Sequence, residues 1–225
     1  MRLLERVAEL FFPSKCVLCR RVLDRDELDL CGECRVEAPV FPKPRSKRTF
    51  LDGWTALWYY DGLVRGSILR YKFRNARSHA GPYGRLLALK IQEDLDLQFD
   101  VLTWVPISAR RRLRRGYDQV ELLADMVGRE LGMQPVRLLK KTRHNRPQSR
   151  VQGDAQRRAN VLGVYQAVNA GQLAGKRVLL LDDVITTGAT AGECARVLLT
   201  AGAQEVYCAA IAAANHTNKT KKSSR

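Results

Sequence analysis

Apolar positions along this chain follow two rhythms: a helical period of about 3.6 residues and short apolar runs of strand length. Leu3, Val7, Leu10 and Phe11 stand at helical spacing and predict a short amphipathic helix over Leu3–Phe12. Trp54–Tyr60, aromatic-rich and closed by Asp61-Gly62, predicts a strand, and Leu63–Lys72 and Gly84–Asp94 predict helices. Asp100–Pro106 predicts a short buried strand stopped by proline. Tyr117–Leu131 predicts a helix with Val120, Leu123, Ala124 and Val127 on one face, and Val136–Leu139 reads as a further short strand. Residues 140–160 are polar and basic, the pattern of a long mobile loop, and such loops in compact domains usually serve a site. Arg177–Leu181 then predicts a buried strand, Asp182–Ala189 a turn, Thr190–Thr200 a helix ended by Gly202, and Glu205–Ala210 the next strand. That order is a βαβ unit, so the sheet is expected to be parallel, with ligands at the carboxyl ends of its strands.

Composition narrows the class. With 225 residues, 45% hydrophobic and 28% charged, the chain can bury the core of one α/β domain plus a small module, which excludes wholesale disorder. The longest apolar runs, Val178–Leu181 and Cys208–Ala214, fall short of the roughly 18 residues of a membrane span. Met1–Phe12 carries Arg2, Glu5, Arg6 and Glu9, so no uncharged secretory core is present and a soluble, cytoplasmic protein is expected. The formal net charge is +16, and more than half of it lies between residues 106 and 160, in Arg110–Arg115 and Lys140–Arg150. A clustered basic field attracts polyanions. Charge alone fits a solvated basic loop equally well, and it does not separate nucleic acid from a phosphorylated metabolite.

Four of the six cysteines form two C-x-x-C pairs, Cys16/Cys19 and Cys31/Cys34, separated by eleven residues. Each pair can turn two sulfurs toward one Zn²⁺, and two such knuckles complete a tetrahedron with no position left for water. The site is therefore expected to be structural, with Gly32 easing the second turn. Disulfides are the alternative, disfavoured in the cytoplasm. Cys194 and Cys208 stand apart and read as small buried hydrophobes. His79, His144 and His216 lie in polar stretches and read as surface residues.

The stretch Val178–Thr190, VLLLDDVITTGAT, places two carboxylates at the end of a buried strand and follows them with a hydroxyl-rich turn into a helix. A helix N-terminus favours an anion; Thr186, Thr187 and Thr190 add hydroxyl donors, and Gly188 lets the backbone close around a phosphate. Asp182 and Asp183 need other partners, such as sugar hydroxyls or a divalent cation. The combination describes a ribose phosphate. It is neither a Walker loop nor a dinucleotide fingerprint, and although Asp and Thr are ordinary cap residues, the pattern is more specific than capping requires.

Val178–Thr190 resembles the PRPP-binding motif of type I phosphoribosyltransferases, and the whole chain resembles the ComF family (ComFC and GntX-like proteins). Tyr71-Lys72-Phe73-Arg74, Val105-Pro106, Arg115-Gly116-Tyr117-Asp118-Gln119, Pro147-Gln148 and Arg158-Ala159-Asn160-Val161 follow in family order. The resemblance implies a central parallel sheet flanked by helices, preceded by a small zinc-binding module. The expected divisions are residues 1–38 for the N-terminal helix and four-cysteine module, 39–52 for a basic Pro-rich linker, 53–214 for the phosphoribosyltransferase-like domain and 215–225 for a disordered basic tail.

By the same resemblance Asp182 and Asp183 would meet the ribose hydroxyls of Mg²⁺-bound PRPP and serve catalysis. Thr186, Thr187, Gly188, Ala189 and Thr190 would hold its 5-phosphate, and the segment beginning Ile107-Ser108 would meet the pyrophosphate. Lys140–Asn160 would be the flap over the site. Arg110, Arg111, Arg112, Arg114 and Arg115 are placed to contact pyrophosphate or nucleic acid. If the protein is an enzyme, pyrophosphate leaves as C1 becomes oxocarbenium-like, by positioning and electrostatic stabilisation; no segment identifies the acceptor, and turnover is left open. Where the family usually reads R-G-[FY]-N-Q, Asp118 removes an amide donor and adds negative charge beside Arg114 and Arg115. The family is associated with uptake of transforming DNA, so single-stranded DNA, a competence helicase and other DNA-uptake proteins are the implied partners. The alternative is a non-catalytic zinc-bearing DNA-binding or adaptor protein that keeps a ribose-phosphate site as sensor or scaffold.

Overall fold

The computed structural model describes residues 13–44, 48–95, 98–143 and 161–214. The Leu3–Phe12 helix, the tail from Asn215 and most of the 140–160 loop lie outside these residues, as do His144 and His216. Helix α1 (Gly32–Glu37) lies in the cysteine module, and strand β1 (Gly53–Tyr59) is followed by helices α2 (Gly62–Phe73) and α3 (Ala80–Leu95). Strand β2 (Val101–Trp104) leads to the short helix α4 (Ala109–Arg115) and to α5 (Gln119–Leu131). Next come β3 (Leu139–Lys141), β4 (Tyr165–Ala167), β5 (Arg177–Ile185), α6 (Ala189–Thr200) and β6 (Glu205–Ala213).

The main sheet has the order β1-β6-β5-β2 and every pairing in it is parallel. In the middle of β5 successive side chains leave on opposite faces. Leu179 and Leu181 enter one core with Leu87 and Ile91 of α3 and Leu123 and Val127 of α5. Val178 and Leu180 enter a second core with Cys194 and Leu198 of α6. Both faces are apolar, as a covered parallel sheet requires. Cys194 and Cys208 are fully buried.

Both sheet edges are closed by proline-bearing segments. Val40 bridges Trp58 antiparallel, with Phe41 N–H donating to Leu57 O at 2.9 Å and Tyr59 N–H donating to Pro39 O at 2.7 Å. The segment read as a linker is therefore laid along β1, with Phe41 buried. At the other edge Pro135 bridges Leu102, and Val136 N–H donates to Leu102 O at 2.8 Å.

Several elements differ from the sequence expectation. Asp182 and Asp183 belong to a strand, not a turn, because β5 stays paired with β6 through Ile185 and Ala213. Strand β6 likewise runs on past Ala210, since Ile211, Ala212 and Ala213 fill both buried faces. Val136–Leu139 is not a strand of its own; the pairing falls on β3, antiparallel to β4, which hydrophobic pattern did not reveal. Helix α4 has one large apolar residue, Leu113, and that is 87% exposed, so no periodicity announced it; the readable signals were its caps, Ser108 and the left-handed Gly116.

The cysteine module docks on the first core, with Ser67 Oγ donating to Val17 O, Arg70 donating to Leu18 O and Arg85 paired with Asp29. Gly32 does not turn the second knuckle; the left-handed positions are Arg20, just after the first pair, and Asp29, just before the second. Gly32 instead starts α1, its N–H donating to Glu27 at 2.6 Å. His79 is partly buried rather than freely exposed. Its ring stacks on Tyr71 at 6.4 Å and meets Tyr83 edge-on, and burial lowers its pKa to about 4.

Candidate functional site

A cleft of about 430 Å³ opens at the carboxyl ends of β2 and β5. Its floor is Asp182 and Asp183, which strand alternation sends to different partners. Asp183 accepts a salt bridge from Lys72 Nζ at 2.8 Å and a hydrogen bond from Gln119 Nε2 at 2.6 Å. Gln119 Oε1 in turn accepts from Arg115 Nη1 at 2.7 Å, and the Arg115 guanidinium lies 4.7 Å above the Phe73 ring. Two residues, from the end of α2 and the start of α5, thus hold one carboxylate, and Arg115 from the end of α4 backs Gln119. Asp182 Oδ1 accepts from the Asp183 N–H at 2.7 Å. Burial pushes its pKa up to about 8, reinforced by Asp183 and opposed by Lys72 and Lys141.

Lys141, at the end of β3, forms the wall on the Asp182 side. It donates to the Tyr165 hydroxyl at 3.1 Å. Burial brings its pKa down to about 8, with Arg111 adding to the shift. Burial likewise depresses Arg111 and Arg115. The cleft is cationic on its walls and anionic on its floor, the arrangement for a ligand that carries both phosphates and hydroxyls.

Of the residues singled out in the sequence, Ile107, Arg111, Arg114, Arg115, Asp182, Asp183, Thr186, Gly188 and Thr190 share this cleft. Ser108 stands behind it as the N-cap of α4, accepting from Arg111 N–H at 3.4 Å. Thr187 Oγ1 accepts from Ala189 N–H at 3.3 Å, where the turn enters α6. Arg110 and Arg112 are exposed on α4 away from the cleft lining, and Arg112 pairs with Glu121 at 3.0 Å. Asp118 does not pair with the arginines beside it. It is buried and caps α5, with Oδ1 accepting from Val120 N–H at 2.9 Å and Oδ2 accepting from Ile107 N–H at 3.0 Å. An acceptor-only carboxylate suits that place, because it faces backbone donors on both oxygens. It ties the Ile107 segment to α5.

Lys72, Gln119 and Tyr165 line the cleft and carried no assigned role in the sequence; Lys141, read there as part of the Lys140–Asn160 flap, lines it too, and Arg48 stands against Gly188 just outside the lining. Lys72 and Gln119 stood inside short segments already singled out, YKFR and RGYDQ. Lys141 and Tyr165 are brought together only by the β3–β4 pairing. Arg48 reaches the Thr186–Thr190 turn from the Pro-rich segment: its Nη1 lies 2.7 Å from where a Gly188 Cβ would stand. Gly188, with φ +80°, is glycine on both counts, conformation and contact.

The Sγ atoms of Cys16, Cys19, Cys31 and Cys34 lie within 4.8 Å of one another. Cys19 and Cys31 Sγ are 3.6 Å apart. Four thiolates at Zn–S of 2.3 Å imply a sulfur–sulfur separation of about 3.8 Å, so the cluster could hold a metal ion. Among the described residues no helix is long and apolar enough to cross a membrane.

A family model for the phosphoribosyl transferase domain matches residues 120–224. Competence protein F of Haemophilus influenzae is 27% identical over 220 residues, 87% of this chain and 95% of that protein. DNA utilization protein YhgH of Escherichia coli K12 is 31% identical over 221 residues, 87% of this chain and 96% of that protein. Among solved structures, an allosteric regulatory enzyme of purine biosynthesis is similar at 24% identity and a TM-score of 0.44, over 64% of this chain and 30% of that one. A relative at this identity, matched over nearly its whole length, leads to one conclusion: the chain belongs to the ComF family of phosphoribosyltransferase-like proteins.

Proposed function

We propose that the protein binds PRPP together with Mg²⁺ in the β2–β5 cleft and acts, in the cytoplasm, in competence-related handling of single-stranded DNA. The observation that carries the reading is the sharing of one cleft by two strand-end acids, a T-T-G-x-T turn and a wall of arginines. In this reading Asp182 and Asp183 take the ribose hydroxyls, and Thr186, Thr187, Gly188, Ala189 and Thr190 take the 5-phosphate. Ile107, Arg111, Arg114, Arg115 and Lys141 face the pyrophosphate, and Ser108 supports them from behind as the cap of α4. Mg²⁺ would neutralise pyrophosphate oxygens, and the arginines hold the leaving group as positive charge develops at C1. The names of the relatives, a competence protein and DNA utilization proteins, support the link to DNA. Single-stranded DNA, a competence helicase and other uptake proteins are the proposed partners. Zn²⁺ on Cys16, Cys19, Cys31 and Cys34 would be structural, since four thiolates leave no open position.

Calorimetric titration with PRPP, with and without Mg²⁺, tests the reading on the wild type and a D182N/D183N double variant. Heat that requires Mg²⁺ and disappears in the variant is expected. A folded, metal-loaded wild type that gives no heat would sink it.

A further inference from the structure

Among the described residues, several partly buried cations have an acceptor that accounts for them. Lys72 has Asp183, Arg85 has Asp29, Arg196 has Glu193, Arg70 has the Leu18 carbonyl and Arg115 has Gln119. Arg48 is different. Its guanidinium sits 4.1 Å from the centre of the Trp54 ring, and Trp54 is itself buried. Its Nε is buried without a hydrogen-bond partner, as are those of Arg70 and Arg115, but those two place an Nη on an acceptor, whereas among the described residues no carboxylate pairs with Arg48. A desolvated cation with no counter-charge is costly unless an anion completes it.

Its position says where that anion would lie. Arg48 Nη1, Cδ and Cζ stand 2.7, 3.2 and 3.6 Å from the site of a Gly188 Cβ, and the Thr49 carbonyl stands 3.1 Å from that of Gly192. Residues 48 and 49 are thus pressed onto the turn and the first turn of α6. That turn, Thr186–Thr190, contains no charged side chain of its own. A phosphomonoester carries about −1.5 to −2 charge near neutrality, which neutral N–H and O–H donors only partly offset.

We propose that Arg48 is a ligand-binding residue that supplies the missing positive charge for a phosphomonoester held in the Thr186–Thr190 turn, with Trp54 fixing its guanidinium. The inference rests on the ribose-phosphate reading of the cleft and assigns to it a residue from outside the motif. Arg48 selects a terminal phosphate; the pyrophosphate end has its own cations, Arg111, Arg114, Arg115 and Lys141.

The test is a pair of titrations, ribose 5-phosphate and Mg²⁺-pyrophosphate, on the wild type, R48Q and R48K, each checked for folding by thermal melting. R48Q is expected to lose roughly tenfold or more in ribose 5-phosphate affinity and none for pyrophosphate, with R48K between. Equal ribose 5-phosphate affinity in wild type and a folded R48Q overturns the proposal and leaves the cleft reading standing. An equal fall in affinity for both ligands makes Arg48 a structural residue and also overturns it. A wild type that binds neither ligand removes the cleft reading and the proposal together. If R48Q does not fold, the same comparison on R48K decides.

Discussion

Asp182 and Asp183 are neighbours in sequence and occupy different environments. Asp183 is held by Lys72 and Gln119, whereas burial, reinforced by the neighbouring Asp183 charge, keeps Asp182 protonated well above the usual carboxylate range. A carboxyl group whose pKa is raised by folding binds its proton more tightly in the folded state. Its contribution is therefore lost as pH rises from about 4 toward about 8. Lys141 acts in the next window: its pKa is lowered to about 8 from 10.5, so its contribution recovers as pH rises between those values. The unliganded protein is expected to melt lowest near pH 8, and D182N to flatten the fall between pH 5 and 8. A melting series across pH on both proteins checks this; parallel curves would refute the assignment. The same shift has a consequence for binding. A ligand that needs the charged carboxylate must expel the proton, so at pH 7 Mg²⁺-PRPP binding should release a proton, visible as a heat that changes with buffer ionisation enthalpy.

Helix α2 belongs to two sites at once. Ser67 and Arg70 hold the carbonyls of Val17 and Leu18, inside the first cysteine knuckle, and Lys72, within one turn of Arg70, holds Asp183. Tyr71 and Tyr117 cross-link the same helix to α5. Removing the metal ion proposed for the cysteine cluster is therefore expected to weaken the cleft as well as the knuckles, because small metal modules lose their fold with the metal. A chelator should lower both the melting temperature and the affinity for PRPP, and restored Zn²⁺ should recover both. Chelation that lowers stability with no change in PRPP affinity would mean that α2 keeps its place without the knuckle. At this scale the sequence was readable where pattern and caps agree: β1, α2, α3, α5, α6 and the start of β5 all fall near their expected positions. It was not readable at β3 and β4, whose three-residue strands exist only through each other. Nor did it tell that β5 carries its acids inside the sheet, since that depends on the alanines of β6 lying alongside.

Over the whole molecule, the charge of +16 divides into cations consumed by the fold and cations left facing water. Lys72, Arg85 and Arg196 are paired within the structure, and Arg110 is exposed on α4 outside the cleft. Single-stranded oligonucleotide binding should therefore fall steeply with salt, and an R110Q/R112Q variant should show a shallower dependence, by about 0.7 in the log–log slope for each phosphate no longer neutralised. Fluorescence anisotropy over a salt series measures it; a slope that does not change would place the DNA elsewhere. The family and the cleft acids were legible from motifs, and so were the four cysteines. Arg48 was not, because only tertiary packing of a Pro-rich segment brings it to the motif.

The proline-bearing segments at the two sheet edges bear on how copies of this chain could associate. Val40 and Phe41 occupy the open side of β1, and Pro135 and Val136 that of β2. Unpaired strand edges are templates for aggregation and for growth of a sheet from one molecule into the next. Proline has no N–H to offer an incoming strand, so these borders are poor templates even where they reach solvent. Among the described residues the four-stranded sheet thus offers no ready strand edge to another protein, and a truncation within 39–44 would do more than shorten a connection: it would uncover a β-strand and invite precipitation.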